Sequence, residues 1–164
     1  MDIVDSKTRS RMMAAVRGSN TQGEIAIRKR LFFKGFRYRI NVKSLPGTPD
    51  IVLKKYRVVI MINGCFWHYH GCSLSRLPKS RSEWWTEKLR ANRSRDARHI
   101  GDLVSAGWRV LIIWECAFRR SGIQINTGFD LVSAIAADFI HSSQGFLEIC
   151  SGTDFLFVSD KKKD

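Results

Sequence analysis

Cys65, His70 and Cys72 lie close together in the chain, and Cys116 follows further along, just after an apolar run. Three thiols and one imidazole form a common closed set for Zn²⁺, whose borderline-soft character suits sulfur and nitrogen donors. The alternative is that Cys65 and Cys116 are small buried apolar residues. A disulfide is disfavoured in a reducing compartment. A structural zinc is the expectation, because the irregular stretch 64–78 otherwise has little to hold it. Cys150 is expected to be an ordinary core cysteine. His68 is offset from the ligand spacing. One loop can therefore hold a metal through His70 and present a second imidazole; the other reading of His68 is a surface histidine.

Three carboxylates bear on the same chemistry. Asp50 follows Thr48-Pro49 and opens a strand that leads into a second, buried strand. Phosphodiester cleavage commonly uses carboxylates that hold Mg²⁺, which activates water and neutralises developing charge. Pro-Asp opening one strand, with a second strand after it, is the skeleton of the restriction-type nuclease core. That core usually adds an acid-x-Lys triplet on the second strand. Here the triplet is Met61-Ile62-Asn63, so other groups must complete the chemistry, and a turn-capping aspartate is the competing reading. Trp85, Leu89, Asn92, Asp96, Ile100 and Leu103 recur at spacings of three and four, which puts Asp96 on an apolar helix face. A carboxylate there is costly without a partner; a histidine or one of the arginines would serve. Glu24 is in line with Ile27 and Leu31 near a helix start. It reads first as an acid favoured by the helix dipole, and second as a group near a metal.

The elements that must position these groups follow from periodicity and capping. Helices are expected at about 7–17, 22–33 (capped by Ser19-Asn20-Thr21), 83–106 and 129–141. Phe36-Arg37-Tyr38-Arg39-Ile40 alternates as a half-exposed strand would. Residues 50–53, 57–62 and 108–114 read as strands, the last two as continuous apolar runs buried on both faces. A short strand is expected within 146–158. Together these give an α/β fold with a mixed central sheet flanked by helices.

The 164 residues carry 28 Lys+Arg and 15 Asp+Glu, a net charge of +13, and are 44% apolar. The apolar content supports a core and argues against disorder. The charge is divided unevenly: residues 1–120 hold 25 basic and 9 acidic groups, residues 121–164 only 3 and 6. No apolar run is long enough for a membrane span, and the cations fall in two stretches, 7–43 and 76–98, rather than on one amphipathic helix. Met1-Asp2-Ile3-Val4-Asp5 lacks the pattern of a signal peptide, so a cytoplasmic protein is expected. Nucleic acid is the favoured partner, with five tryptophans available to stack on bases.

Several strings in order resemble the very-short-patch repair (Vsr) DNA mismatch endonucleases. They are Thr8-Arg9-Ser10 with Met13; Ser44-Leu45-Pro46-Gly47-Thr48-Pro49-Asp50; Gly64-Cys65-Phe66-Trp67-His68 with His70 and Cys72; Trp85 with Glu87-Lys88, Asn92 and Arg95-Asp96; and Gly107-Trp108-Arg109-Val110-Leu111 through Trp114-Glu115-Cys116. The resemblance spans about residues 6–118 and leaves the C-terminal third without a motif. It implies a restriction-endonuclease-like core with a structural zinc held by Cys65, His70, Cys72 and Cys116. It implies recognition of T:G mismatches that arise by deamination of 5-methylcytosine, and Mg²⁺-dependent nicking 5′ of the thymine. By the same resemblance Asp50 and the Ile62 carbonyl hold Mg²⁺, and His68 activates water while Asp96 orients it. Glu24 lies near the metal-bound waters. Phe66, Trp67 and Trp85 form an aromatic wedge, and Met12 and Met13 approach the opposite groove. Without the resemblance the three rings would read as core aromatics.

Members of the family carry a histidine where this chain has Asn63, which cannot act as a general acid but can hydrogen-bond water or phosphate. The expected organisation is an N-terminal DNA-contacting helix at 1–20, an endonuclease domain at 21–142, and a C-terminal extension at 143–164. The enzyme is expected to be a monomer, associated with the nucleoid and able to meet a mismatch-repair partner protein. Two other readings remain at this level: a zinc-stabilised DNA-binding module without catalysis, and a restriction-type endonuclease of different specificity.

Overall fold

The computed structural model describes residues 18–119 and 124–151 throughout, together with residues 5, 7, 8, 11, 14, 15, 122 and 156–159. Met12 and Met13, expected on an N-terminal helix, lie outside the described residues.

Helix α1 (Gln22–Phe33) starts where the sequence places a cap. Thr21 accepts from the Glu24 N–H while the Glu24 side chain accepts from the Thr21 N–H, a reciprocal capping box. Ile27 and Leu31 form its buried stripe. The chain leaves α1 at Gly35, whose φ of +91° no β-carbon residue adopts readily.

The expected strand at 36–40 is reduced to a single bridge, Arg39 with Val52. Strand β1 (Ile51–Leu53) is only three residues long and the chain turns away at Asn41, so there is no ladder for the alternating segment to join. A 3₁₀ turn at Lys54–Tyr56 leads to β2 (Val58–Asn63), antiparallel to β1. The loop 64–81 and the long helix α2 (Ser82–Ser105) then cross to β3 (Arg109–Trp114), parallel to β2. Gly107, at φ +77°, closes α2 by donating to Val104 while Trp108 donates to Leu103.

A short helix α3 (Glu115–Phe118) and helix α4 (Ile125–His141) return the chain to β4 (Phe146–Ser151), parallel to β3. Helix α4 begins a turn earlier than residue 129. Gly128 permits this, since a β-carbon there would sit 2.5 Å from the Phe118 carbonyl oxygen. Strand β5 (Leu156–Ser159) pairs antiparallel with β4. The stretch 143–164, expected as an extension of unknown role, thus supplies two strands to the central sheet, and β4 is an inner one.

The sheet order is β1-β2-β3-β4-β5. Alternation sorts the strand residues to two faces. Ile60, Leu111 and Ile113 face α1 and α4; Val59, Met61, Val110 and Ile112 cluster with Leu103 of α2. Full burial of each such side chain contributes about 1.5–3 kcal/mol before entropy is charged. The mixed sheet flanked by helices is the fold class expected. No helix among the described residues is long and apolar enough to cross a membrane.

Candidate active site and metal centre

A cleft of about 1000 Å³ opens where β2 ends, and its walls include Glu24, Asp50, Asn63, His68, Asp96 and His99. Asp50 stands immediately before β1. Its Oδ2 accepts from the Ile62 N–H at 2.7 Å, so the neighbouring strand aims the carboxylate. Burial pushes this carboxyl up to about 6, and the charge of Glu24 adds to the rise; the Ile62 N–H, Arg28 and His68 oppose it. A desolvated carboxylate beside another anion, open to a cleft, favours a bound cation. The donor set therefore fits a hard divalent ion such as Mg²⁺.

Glu24 is already occupied. Its oxygens accept from the Asn20 and Thr21 N–H groups, from the Thr21 hydroxyl, and from Arg28 at 2.9 Å. The helix-start position read for Glu24 is realised as a capping-box partner of Thr21, and the carboxylate acts on Asp50 through its field.

Asp96 finds the partner that the helix-face argument required, and that partner is His68, the residue the family resemblance implied. His68 Nδ1 lies 2.6 Å from Asp96 Oδ2. Burial pushes the Asp96 carboxyl up, but the His68 hydrogen bond and charge, with Arg95, hold it below the ordinary value on balance. Four residues before it on α2, Asn92 donates to the Trp67 carbonyl at 3.0 Å, so one helix face fixes two consecutive loop residues. Asn63, at the end of β2, is buried in the cleft wall.

Ligand atoms of Cys65, His70, Cys72 and Cys116 all lie within 4.8 Å of one another. Cys116 Sγ and His70 Nδ1 are 3.6 Å apart, the edge expected of a tetrahedron with bonds of about 2.3 Å to sulfur and 2.0–2.1 Å to nitrogen. The four donors therefore fit Zn²⁺. The surroundings support sulfur ligation: the Cys116 N–H donates to Cys65 Sγ and the Ser151 N–H to Cys116 Sγ. The Cys65 thiol is pushed up by donating to Cys116, and the same bond lowers Cys116 to about 5. The His70 ring stacks on Trp114 at 4.1 Å, and Trp114 is pinned by Glu148. Cys150 is outside the ligand set and half-buried against the same cluster.

Between the candidate ligands Cys65 and His70 lie Phe66, Trp67, His68 and Tyr69. Phe66, Trp67 and Trp85 contact each other at ring separations of 5.1–6.1 Å. The sequence reasoning missed Trp84, which is 50% exposed and packs edge-on against Trp85 at 4.9 Å. Lys88 lies over both rings. Its i,i+4 spacing from Trp84 was the available signal. Arg28 was also missed; its i,i+4 spacing from Glu24 would have flagged it.

The family model described as DNA mismatch endonuclease Vsr matches residues 1–74. The DNA mismatch endonuclease Vsr of Escherichia coli K12 is 46% identical over 118 residues, which are 72% of this chain and 76% of that protein. The type II nicking enzyme V.XorIIP of Xanthomonas oryzae pv. oryzae is 46% identical over 121 residues, 74% of this chain and 89% of the relative. The type II nicking enzyme V.NaeI of Lentzea aerocolonigenes is 38% identical over 146 residues, covering 84% and 80%.

Proposed function

This chain belongs to the Vsr family of DNA mismatch endonucleases, and from that premise we propose that it nicks duplex DNA 5′ of the thymine in T:G mismatches left by deamination of 5-methylcytosine, using Mg²⁺. It is a DNA endonuclease on the restriction-endonuclease-like core of its family. The observation that carries the finer reading is the His68–Asp96 pair, 2.6 Å apart, in the same cleft as a buried Asp50 carboxylate.

In this reading Asp50 and the Ile62 carbonyl hold Mg²⁺, which supplies charge neutralisation for the phosphate as its bond breaks. Asp96 accepts the His68 Nδ1 hydrogen and leaves Nε2 as the acceptor that takes a proton from the attacking water. Asn63 donates a hydrogen bond to water or phosphate. Glu24 adds negative potential near Asp50. Phe66, Trp67 and Trp85 enter the base stack, where a mismatched step costs less to open than a paired one. Zinc held by Cys65, His70, Cys72 and Cys116 braces those rings. Residues 1–20, with Met12 and Met13, approach the opposite groove; a monomeric enzyme of the nucleoid, meeting a repair partner, completes the proposal.

A gel assay of T:G and fully paired duplexes, with and without Mg²⁺, tests it. Nicking should need Mg²⁺, favour T:G, and vanish in Asp50→Ala while DNA binding persists. Equal cleavage of both duplexes would sink the repair reading, and no nicking at all would sink the catalytic one.

A further inference from the structure

Arg28 lies on the buried side of α1, only 6% exposed, in a chain whose other cations mostly face solvent. A buried guanidinium is costly unless its donors are met; here Nε has no partner and both terminal nitrogens do, so the partners they keep indicate its task. Nη1 donates to Asn20 Oδ1 at 2.7 Å. Nη2 donates to Glu24 at 2.9 Å and to the backbone carbonyl of Asp50 at 3.1 Å, with Asn41 Oδ1 at 3.4 Å. Asn20 and Asn41 both have left-handed backbones, φ 55° and 48°, which asparagine tolerates in turns better than most residues. One planar fork therefore joins three separate segments: the turn that enters α1, the turn that begins the loop to Asp50, and Asp50 itself.

We propose that Arg28 is the positioning residue for Asp50. It sets the depth at which that carboxylate meets the cleft, and it ties Asp50 to the turn through which the N-terminal segment joins the domain. Arg28 is not part of the cleft wall, so it acts through the aspartate and not on DNA. The inference rests on the nicking reaction proposed above. A displacement of about 1 Å at a reacting group can cost about 100-fold in rate. Lysine cannot replace the fork, because one ammonium cannot reach both Asn20, held by Nη1, and the acceptors held by Nη2.

The test compares Arg28→Gln and Arg28→Lys with the wild-type protein in single-turnover nicking of T:G and paired duplexes. Zinc content, Tm and Kd for the T:G duplex are measured on the same samples. The expected result is a rate per folded molecule about 100-fold down in Arg28→Gln and at least tenfold down in Arg28→Lys, with Kd within twofold. In an Asp50→Glu background the Arg28→Gln loss should be much smaller, because both changes act through one carboxylate. A merely structural role would lower Tm and leave the rate per folded molecule intact. Rates within threefold of wild type in a folded Arg28→Lys, or losses that simply add in the double variant, would overturn this inference alone. A wild-type protein that nicks neither duplex overturns it together with the proposed function.

Discussion

Replacing Asp96 by alanine and by asparagine should slow nicking in an order that a structural role cannot produce. In the native pair Asp96 Oδ2 accepts the Nδ1 hydrogen of His68 at 2.6 Å. Alanine removes a charge-assisted hydrogen bond worth about 1.5–3 kcal/mol. At about 1.4 kcal/mol per factor of ten, that is a loss of roughly 10–150-fold in rate. Asparagine keeps the shape but inverts the chemistry. Arg95 Nη2 stands 3.5 Å from Asp96 Oδ1, so the amide oxygen is drawn to the guanidinium side and the NH₂ is left facing His68. Nδ1 must then accept, the hydrogen moves to Nε2, and the base is lost; comparable tautomer inversions cost about 10⁴-fold elsewhere. The asparagine variant should therefore be slower than the alanine variant, by tenfold or more. Were Asp96 only a structural acid, the order would reverse, since alanine leaves the larger hole. Single-turnover rates at saturating protein, with Tm for each variant, decide the matter. Asparagine equal to or faster than alanine, with both folded, refutes the orientation argument.

Burial is the chief cause that pushes the Asp50 carboxyl up from 3.8 to about 6. A raised acid favours the folded state while it is protonated, so its contribution is complete below about pH 4 and is lost as pH rises through about 6. Two pH units correspond to about 3 kcal/mol at most. Asp50→Asn keeps an acceptor for the Ile62 N–H; it should raise Tm at pH 7 in divalent-free buffer and abolish nicking when Mg²⁺ is supplied, and an unchanged Tm counts against the buried-anion argument. Removing zinc with a chelator should lower Tm and expose the Ser151 amide, which donates to Cys116 Sγ at 3.4 Å, to hydrogen exchange. Full protection of Ser151 after verified metal loss would contradict that coupling. Trp84→Ala should weaken binding to T:G and paired duplexes alike, by about 1–3 kcal/mol, whereas Trp85→Ala should narrow the difference between them. Titrations in which Trp85→Ala keeps full discrimination remove Trp85 from the wedge.

Much of this was legible because local rules and tertiary demands agree. The Thr21–Glu24 capping box and the apolar runs of β2 and β3 each admit one structure. That Asp96 needs a partner was legible because a carboxylate on an apolar helix face is costly alone; that the partner is His68 came only from the family resemblance. The segment 36–40 was misread because alternation describes a half-exposed strand and a lone bridge equally well; only the shortness of β1 separates them. Glu24 was legible as a helix-dipole acid, but the saturation of its carboxylate was not, since Asn20 and Arg28 act from both sides of it. Arg28 is one of 28 cations in the sequence, and nothing local says that its guanidinium reaches Asp50, 22 positions away. Parallel pairing of β4 with β3 was equally hidden, because an apolar run does not state its neighbour.

The pairing of β2 with β3 explains why metal centre and cleft are adjacent. The register sets Asn63 opposite Trp114, so the residues two positions beyond each strand, Cys65 and Cys116, emerge side by side. Parallel strands end at the same edge of a sheet, which is where such folds build their sites. A metal bound there would close a bracket from Cys65 to His70, and the four residues it spans are Phe66, Trp67, His68 and Tyr69. Asn92 and Asp96 then fasten Trp67 and His68 from α2. With both ends and both middle residues held, the bracket has little freedom to move one side chain without the others. The rings proposed to meet the base stack and the imidazole proposed to meet the phosphate are therefore mechanically one unit. If the proposed function holds, insertion of the rings at a yielding step would set the imidazole at the scissile bond, and discrimination between mismatched and paired DNA would then act on the rate of nicking as well as on binding.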